Sequence, residues 1–417
     1  MSIALILADD LTGAADTGVQ FASRGWRTLL ALDPSGTGAA DVLSMFVDSR
    51  NLPTPADAGQ AVSQVFSALR AQPAYRDLLP SFRLIYKKMD STLRGYPAAE
   101  LTALLAALGE TRVLIAPAFP PQGRTTSGGI QHLNGQPLDK TSFASEIATS
   151  NLLDLFGSGQ SAAPGPALLP LRVVRQGQLA VGNALRQARG LLIADAETDS
   201  DLRILARATL AEGLRVCCGS AGLAAALVEC LAAPAATQPL SFLPTPGPIL
   251  AVAGSLNPAT LTQLEYAARQ GLTIVRPSFD FYLDPGFTGI SETAARVASA
   301  LAAGNSVILA TPIQRIQPAP SEGPTRIPFT ARLARVVSAV LENSLPGGLI
   351  LNGGDTARTV CAVLSCTRIW LGGQIEPGVP WGIMADGRFP SLPVITKAGS
   401  FGLDHTLFKA LQFLQGR

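Results

Sequence analysis

The sequence predicts an α/β protein of two domains. Each is a mainly parallel sheet flanked by helices, with the active site in the cleft between them. Three observations predict it. Apolar runs of strand length alternate with amphipathic stretches of helix length along most of the 417 residues, which is the pattern of βαβ units and parallel sheets. A Pro-rich stretch interrupts the alternation once, after which it restarts. Several apolar runs end in charge or glycine, and open α/β sheets bind ligands outside the carboxyl ends of their strands.

In chain order, strands are predicted at residues 3–7, 28–32, 42–47, 84–87, 113–116, 191–194 and 214–217. Helices are predicted at 15–23, 56–71, 98–108, 200–211 and 221–231. Five Pro in residues 231–248 favour extended chain. A linker over 236–248 is therefore predicted between a domain at 1–235 and one at 249–417. The hinge for any domain closure is expected in it. Beyond it, strands are predicted at 249–253, 273–275, 306–310 and 349–351, and helices at 258–269, 292–303 and 330–342. Residues 157–170 and 316–328, rich in Pro with Gly or Ala, read as insertions or disordered loops. There is no internal repeat.

Composition narrows the function. The chain is too long for a single core, and its apolar fraction of 47% supports sizeable ones. A net charge of +2 without a basic run argues against nucleic acid. Apolar stretches break before about 18 residues, so no membrane span is expected. The N-terminus reads as a first strand rather than a signal peptide. Five Cys, an odd number with no C-x-x-C pair, suit reduced thiols in a cytoplasmic protein. With only His132 and His405, a His-based metal site or a Ser-His-Asp triad is poorly supported. A homo-oligomer is compatible with all of this.

The densest chemistry lies at Tyr86-Lys87-Lys88-Met89-Asp90-Ser91-Thr92-Leu93-Arg94-Gly95. Lys and Arg suit an anionic group; Asp suits hydroxyls or a proton. Lys87 and Lys88 alternate sides of their strand, so one is expected to face the site. Asp9 and Asp10 end the first strand just before a helix start with free N–H groups. The plain alternative is a helix cap by Asp10 or Thr12. Val47-Asp48-Ser49-Arg50 repeats the arrangement on another strand, and Arg50 can fork on to a carboxylate. Arg124, with Thr125 and Thr126, is set to close over a substrate. In the second half, Gly254-Ser255, Asn352-Gly353-Gly354-Asp355-Thr356 and Lys397-Ala398-Gly399-Ser400 follow strands. Such turns let backbone amides approach phosphate, and Asp355 can hold Mg²⁺ through water. There is no G-x-x-x-x-G-K-[ST]. Gly157-Ser158-Gly159-Gln160-Ser161-Ala162 fits a dinucleotide pattern only formally, because no strand precedes it.

Taken together, these clusters resemble the four-carbon acid sugar kinase family over nearly the whole chain. The matching segments are 8–14, 87–95, 116–120, 123–125, 195–199, 219–224, 254–255, 353–357 and 397–402. The resemblance implies an N-terminal domain that binds the acid sugar and a C-terminal domain that binds ATP as its Mg²⁺ complex. It implies transfer to the terminal hydroxyl of acids such as threonate, erythronate or 3-oxo-tetronates. The implied substrate contacts are Asp9, Arg50, Lys87, Lys88, Met89 and Asp90. Arg94 and Arg124 join them from the reading of the residues, and Asp90, Asp10 and Lys88 are the catalytic candidates. The implied ATP contacts are Ser255, Gly353, Gly354, Asp355, Thr356 and Gly399; no direct metal ligand is assigned. The opening segment, with Asp16-Thr17-Gly18-Val19-Gln20, is closer to the threonate and erythronate branch. Glu146-Ile147-Ala148-Thr149-Ser150 stands where the family has Asp-Pro-x-x-Pro, which bears on the choice of acid. The competing classes are a non-catalytic sensor and a nicotinamide oxidoreductase; the retained acids and glycine turns argue against the first, the missing fingerprint against the second.

Overall fold

The computed structural model describes residues 3–33, 40–73, 79–157, 165–232, 240–242, 244, 247–278, 281, 289–311 and 329–417. The chain divides into two compact units, Met1–Pro239 and Leu240–Arg417.

In the first unit eight parallel strands are ordered β2-β3-β1-β4-β11-β5-β10-β9. They are β1 (Ala4–Ala8), β2 (Thr28–Ala31), β3 (Val42–Phe46), β4 (Leu84–Lys88), β5 (Val113–Ala116), β9 (Ala167–Leu169), β10 (Leu191–Ala194) and β11 (Val216–Gly219). β1 and β4 are buried at every position, as expected for parallel strands covered on both faces. The helices start where capping residues stand. Thr198 makes a capping box with Asp201, and Ser220 and Thr54 accept from the first turns of their helices. The Cys217 and Cys218 thiols are buried on β11 and raised by that burial, Cys218 to about 12, so they are inert core groups.

In the second unit the order is β13-β14-β12-β15-β18-β17-β16. The strands are β12 (Ile249–Ala253), β13 (Thr273–Val275), β14 (Val307–Ala310), β15 (Gly348–Asn352), β16 (Arg368–Glu376), β17 (Val379–Met384) and β18 (Pro393–Lys397). The first five in that order run parallel, and β17 and β16 add antiparallel.

The structure departs from the sequence reading in four places. The first helix spans Leu11–Ala22 and starts earlier than expected, because the Asp10 carboxylate accepts from the Gly13 N–H at 2.8 Å. Residues 124–137, where no strand is predicted, form a small antiparallel sheet of β6 (Arg124–Ser127), β7 (Ile130–Leu133) and β8 (Gln136–Pro137). Its polar strands carry no apolar alternation. Side chains hold it instead: Thr126 donates to Gln131 at 2.6 Å, and Gln131 donates to the Ser91 carbonyl at 2.9 Å. Of the supposed loop at 157–170, Ala167–Leu169 is strand β9, while 158–164 lie outside the described residues, as does all of 316–328. Within the expected linker, 236–239, 243 and 245–246 lie outside the described residues. Phe242, inside that stretch, is half-buried and packs against the core of the second unit, its ring 4.8 Å from Phe413 and 5.3 Å from Trp381.

Candidate active site

In the first unit the exits of the adjacent strands β3, β1 and β4 bring the charged clusters together. Asp9 leaves β1 almost fully buried. Arg50, just beyond β3, forks on to it: Nε donates to Asp9 Oδ2 at 2.7 Å, and a terminal nitrogen reaches Asp10 Oδ2 at 2.8 Å. Burial would raise the Asp9 carboxyl, but Arg50, Lys87 and Lys88 together hold it below the usual range. Asp9 Oδ1 has no hydrogen-bond partner among the described residues. Two residues in these loops adopt positive φ without being glycine: Asp48 at 54° and Leu93 at 62°. Such backbone strain is retained where a loop must present particular groups.

β4 delivers the next cluster and separates its two lysines. Lys87 is fully buried, with its ammonium 2.6 Å from Glu100 on the helix Pro97–Leu108 and 2.7 Å from the Lys88 carbonyl. Ser49 donates to the other Glu100 oxygen at 2.5 Å. The expectation that Lys87 touches substrate is therefore corrected: the side that Lys87 faces is core, where only a counter-charge makes its burial tolerable. Lys88 points the other way. Its ammonium lies 3.2 Å from where a Cβ on Gly13 would stand, and among the described residues it makes no ion pair or hydrogen bond. Met89 is buried against Cys218, its sulfur 3.6 Å from the thiol. Asp90 Oδ2 accepts from Arg94 Nε and, at 2.6 Å, from Thr92. Burial opposes the Asp90 charge, but Arg50, Arg94 and Lys88 overcome it and hold the carboxyl far below its ordinary value. Arg94 also lies 3.6 Å from Glu146 and over the Phe143 ring, at 5.6 Å. Among the described residues Arg124 bonds only Gln122, at 2.9 Å to both the backbone and side-chain oxygens, and its buried Nε has no partner there.

Two further expectations change. Asp10 is the helix cap; Gly13, Thr12 and Arg50 take up its carboxylate, which leaves it poorly placed as a base. Arg50 is engaged by two acids, so it frames the site more than it offers a free fork. Sequence reasoning missed Glu100, Gln131 and Asp16. Glu100 had a signal, a lone acid on an otherwise apolar helix face; Gln131 had none.

In the second unit, β12, β15 and β18 are neighbours, and their exits interlock. The Gly254 N–H donates to the Asn352 carbonyl, and the Gly353 N–H to the Lys397 carbonyl at 2.7 Å. A Cβ on Gly399 would collide with Ser255, and one on Gly254 with the Thr356 hydroxyl. Gly353 sits at φ 113°, and among the described residues no side chain caps the helix Gly354–Val363 that follows. Asp355 is exposed in its first turn. By contrast, Asn257 already caps the helix Pro258–Arg269. Uncapped N–H groups beside close-approach glycines suit the phosphates of a nucleotide. Lys397 does not join them. It is buried and donates to the Ala398 and Phe401 carbonyls at 2.8 and 2.9 Å, and burial lowers its ammonium to about 7. It shapes the Gly399 turn rather than reaching out of it. Asn352, which opens the Gly353-Gly354 turn, donates to Thr260 at 3.2 Å, and its buried Oδ1 has no partner among the described residues.

A test of the cradle follows from these contacts. Gly399→Val should weaken nucleotide affinity roughly 10-fold or more, about 1.4 kcal/mol per decade, because the new side chain must displace Ser255. Calorimetric titration of the full chain with ATP measures it; unchanged affinity means that the turn is purely structural.

Residues 4–227 match the family model described as a sugar-binding N-terminal domain, and 250–407 the one described as a nucleotide-binding C-terminal domain. The chain is 35% identical to a D-threonate kinase of Cupriavidus necator, over 98% of this chain and 97% of that one. It is 33% identical to a D-threonate kinase of Salmonella typhimurium, over 99% and 98%. A 3-oxo-tetronate kinase of Methylobacterium radiotolerans is 30% identical over 96% and 97%. Among solved structures, one described as a putative tRNA synthase from Salmonella typhimurium superposes with a TM-score of 0.78 at 20% identity, covering 99% of this chain and all of that one; it shares the fold. Matched along both halves and to kinases over nearly its full length, the chain belongs to the four-carbon acid sugar kinase family.

Proposed function

We propose that this protein phosphorylates the terminal (4-) hydroxyl of a four-carbon acid sugar, D-threonate or D-erythronate, with ATP, in the catabolism of such acids. The acid sugar is assigned to the domain over 1–235 and ATP to that over 249–417. One observation carries the reading. At the strand exits of the first unit, Asp9 and Asp10 engage Arg50, and Asp90 engages Arg94. Lys88 and Arg124 are left, among the described residues, without a carboxylate partner. Two unpaired cations beside a bank of hydrogen-bonding acids suit a small molecule that is a carboxylate at one end and hydroxyls along the rest.

The roles follow. Lys88 and Arg124 hold the substrate carboxylate. Arg50 locks Asp9 and Asp10, and Asp9 Oδ1 accepts from a substrate hydroxyl. Asp90 orients the attacking hydroxyl with its second oxygen, because Oδ2 is taken up by Arg94 and Thr92. The Gly254, Gly353, Gly354 and Gly399 turns, with Ser255 and Thr356, cradle the nucleotide, which supplies the phosphoryl group. Mg²⁺ enters as the ATP complex, for which Asp355 offers an outer carboxylate. No cluster of three His, Cys, Asp or Glu is set to hold a metal among the described residues.

Magnesium-dependent ADP release across a panel of D- and L-threonate, D- and L-erythronate and 3-oxo-tetronates tests the assignment, with ³¹P NMR of the product to locate the ester. No turnover with any four-carbon acid sinks it; preference for a 3-oxo-tetronate moves the chain to that branch. Arg124→Ala is expected to raise KM for the acid sugar about 10-fold or more with little change in kcat, the mark of uniform binding. A change confined to the KM for ATP would contradict the division of ligands between domains.

A further inference from the structure

Asp16 belongs to none of the groups assigned above, yet it lies beside them. It sits on the helix Leu11–Ala22, one turn beyond Gly13, and is 6% exposed. Its Oδ1 has no hydrogen-bond partner among the described residues, and no ion pair reaches it there. A carboxylate this buried and unsatisfied is costly when charged. The absence of a Cβ on Gly13 lets the Lys88 ammonium lie against the same helix face. The charged and titratable groups around Asp16 can be named element by element. Its own helix brings Asp10; β4 brings Lys88 and the Tyr86 hydroxyl, which donates to the Ser220 carbonyl. The packed helix Ala221–Cys230 brings Glu229, which pairs with Arg24 and Arg203 at the far end, and the half-buried Cys230 thiol beside it; β1, β2 and β3 bring no titratable group, Ser44 on β3 donating to the Ala14 carbonyl. Among the described residues, Lys88 is thus the one cation acting on Asp16.

We propose that Asp16 is a proton-linked counter-charge for the substrate: when an anion binds Lys88, the buried Asp16 carboxyl takes up a proton from solvent. The physical reason is competition for one cation. Without a ligand, Lys88 partly offsets the Asp16 charge. A carboxylate bound to Lys88 cancels that help and adds its own repulsion through a medium of low dielectric constant. Burial, with Asp10 adding to it and Lys88 opposing it, already raises the Asp16 carboxyl to about 6. Bound substrate raises it further, so protonation falls within the range in which the enzyme is assayed. By linkage, the affinity for the acid sugar falls as pH rises through about 6 and above. The inference deepens the kinase reading, since it takes Lys88 as the ligand of the substrate carboxylate.

D-threonate binding to the full chain, without nucleotide, tests it and avoids the titration of ATP. Calorimetry at pH 7 in buffers of different ionisation enthalpy should show net proton uptake by the wild type. Asp16→Asn should take up none, should bind D-threonate several-fold tighter than wild type at pH 8, and should match it at pH 5. A residue with only a structural role predicts no uptake and equal pH profiles, which would overturn the proposal. Should D-threonate not bind at all, the kinase reading fails on that substrate, but the linkage stays testable. Carboxyl ¹³C NMR of the wild type should place the Asp16 midpoint near 6, and Lys88→Met should move it up by about a unit or more. A midpoint near 4, or one indifferent to Lys88, refutes the coupling even if substrate binds well.

Discussion

Asp90→Asn is expected to lower kcat by about 10²–10⁴-fold, the range for a group that handles the reacting proton. Affinity for ATP should stay within a few-fold of wild type, because the substitution leaves the second unit untouched. In the transfer of a phosphoryl group the transition state is loose, and positioning outweighs proton abstraction until late. Asp90 suits that role. Its carboxyl is held far below its ordinary value despite burial, by Arg50, Arg94 and Lys88, so it remains an anion throughout the working range. The pH dependence of kcat between about 5 and 9 should therefore carry no limb from Asp90. Asn keeps a carbonyl oxygen but loses the charge, and it releases Arg94 from the ion pair that fixes both side chains. Steady-state kinetics with saturating ATP and acid sugar decide it. Near-normal turnover removes Asp90 from the mechanism and leaves Asp9, whose Oδ1 has no hydrogen-bond partner among the described residues, as the next candidate.

The second large effect is on stability. Lys87→Met should destabilise the first unit by about 3–5 kcal/mol, the cost of breaking a buried ion pair by removing one partner. Glu100 is 1% exposed and, among the described residues, would keep only the Ser49 hydroxyl. At roughly 2–4 °C of Tm per kcal/mol for a unit of this size, a fall of about 10 °C is expected. The double variant Lys87→Met with Glu100→Leu should recover most of it, since an apolar pair of similar volume replaces a buried ion pair at little cost. The pH sign is definite. Burial opposes the Lys87 charge, but Glu100 and Asp9 raise its ammonium above the ordinary 10.5. That stability is fully present below about 10.5 and is lost as pH rises through the higher folded value. Calorimetric melting of wild type, single and double variants checks the whole set. A single variant with unchanged Tm and a large rise in KM for the acid sugar would return Lys87 to the substrate.

The sequence alone determined the alternation, the strand ends and the chemistry at them. Period and composition read β1, β3, β4, β12 and β15 closely because parallel strands buried on both faces are continuous apolar runs. The charged and glycine-rich segments that follow were visible for the same reason, since nothing else in a largely apolar chain interrupts so sharply. Tertiary structure decided what those segments do. Strand alternation said that Lys87 and Lys88 face opposite ways, but only the packing of the helix Pro97–Leu108 set Glu100 beside one of them and left the other free. Local pattern allowed Asp10 to be a cap or an acid catalyst, and Arg50, arriving 40 residues later, settled how its oxygens are engaged. The polar sheet at 124–137 and the turn shaped by Lys397 had no periodic signal, because side-chain hydrogen bonds rather than apolar faces hold them. Asp16 was plain in the sequence as a letter; its burial, its missing partner and its place beside Lys88 follow only from long-range packing, which sets the desolvation and charge that a local window cannot contain.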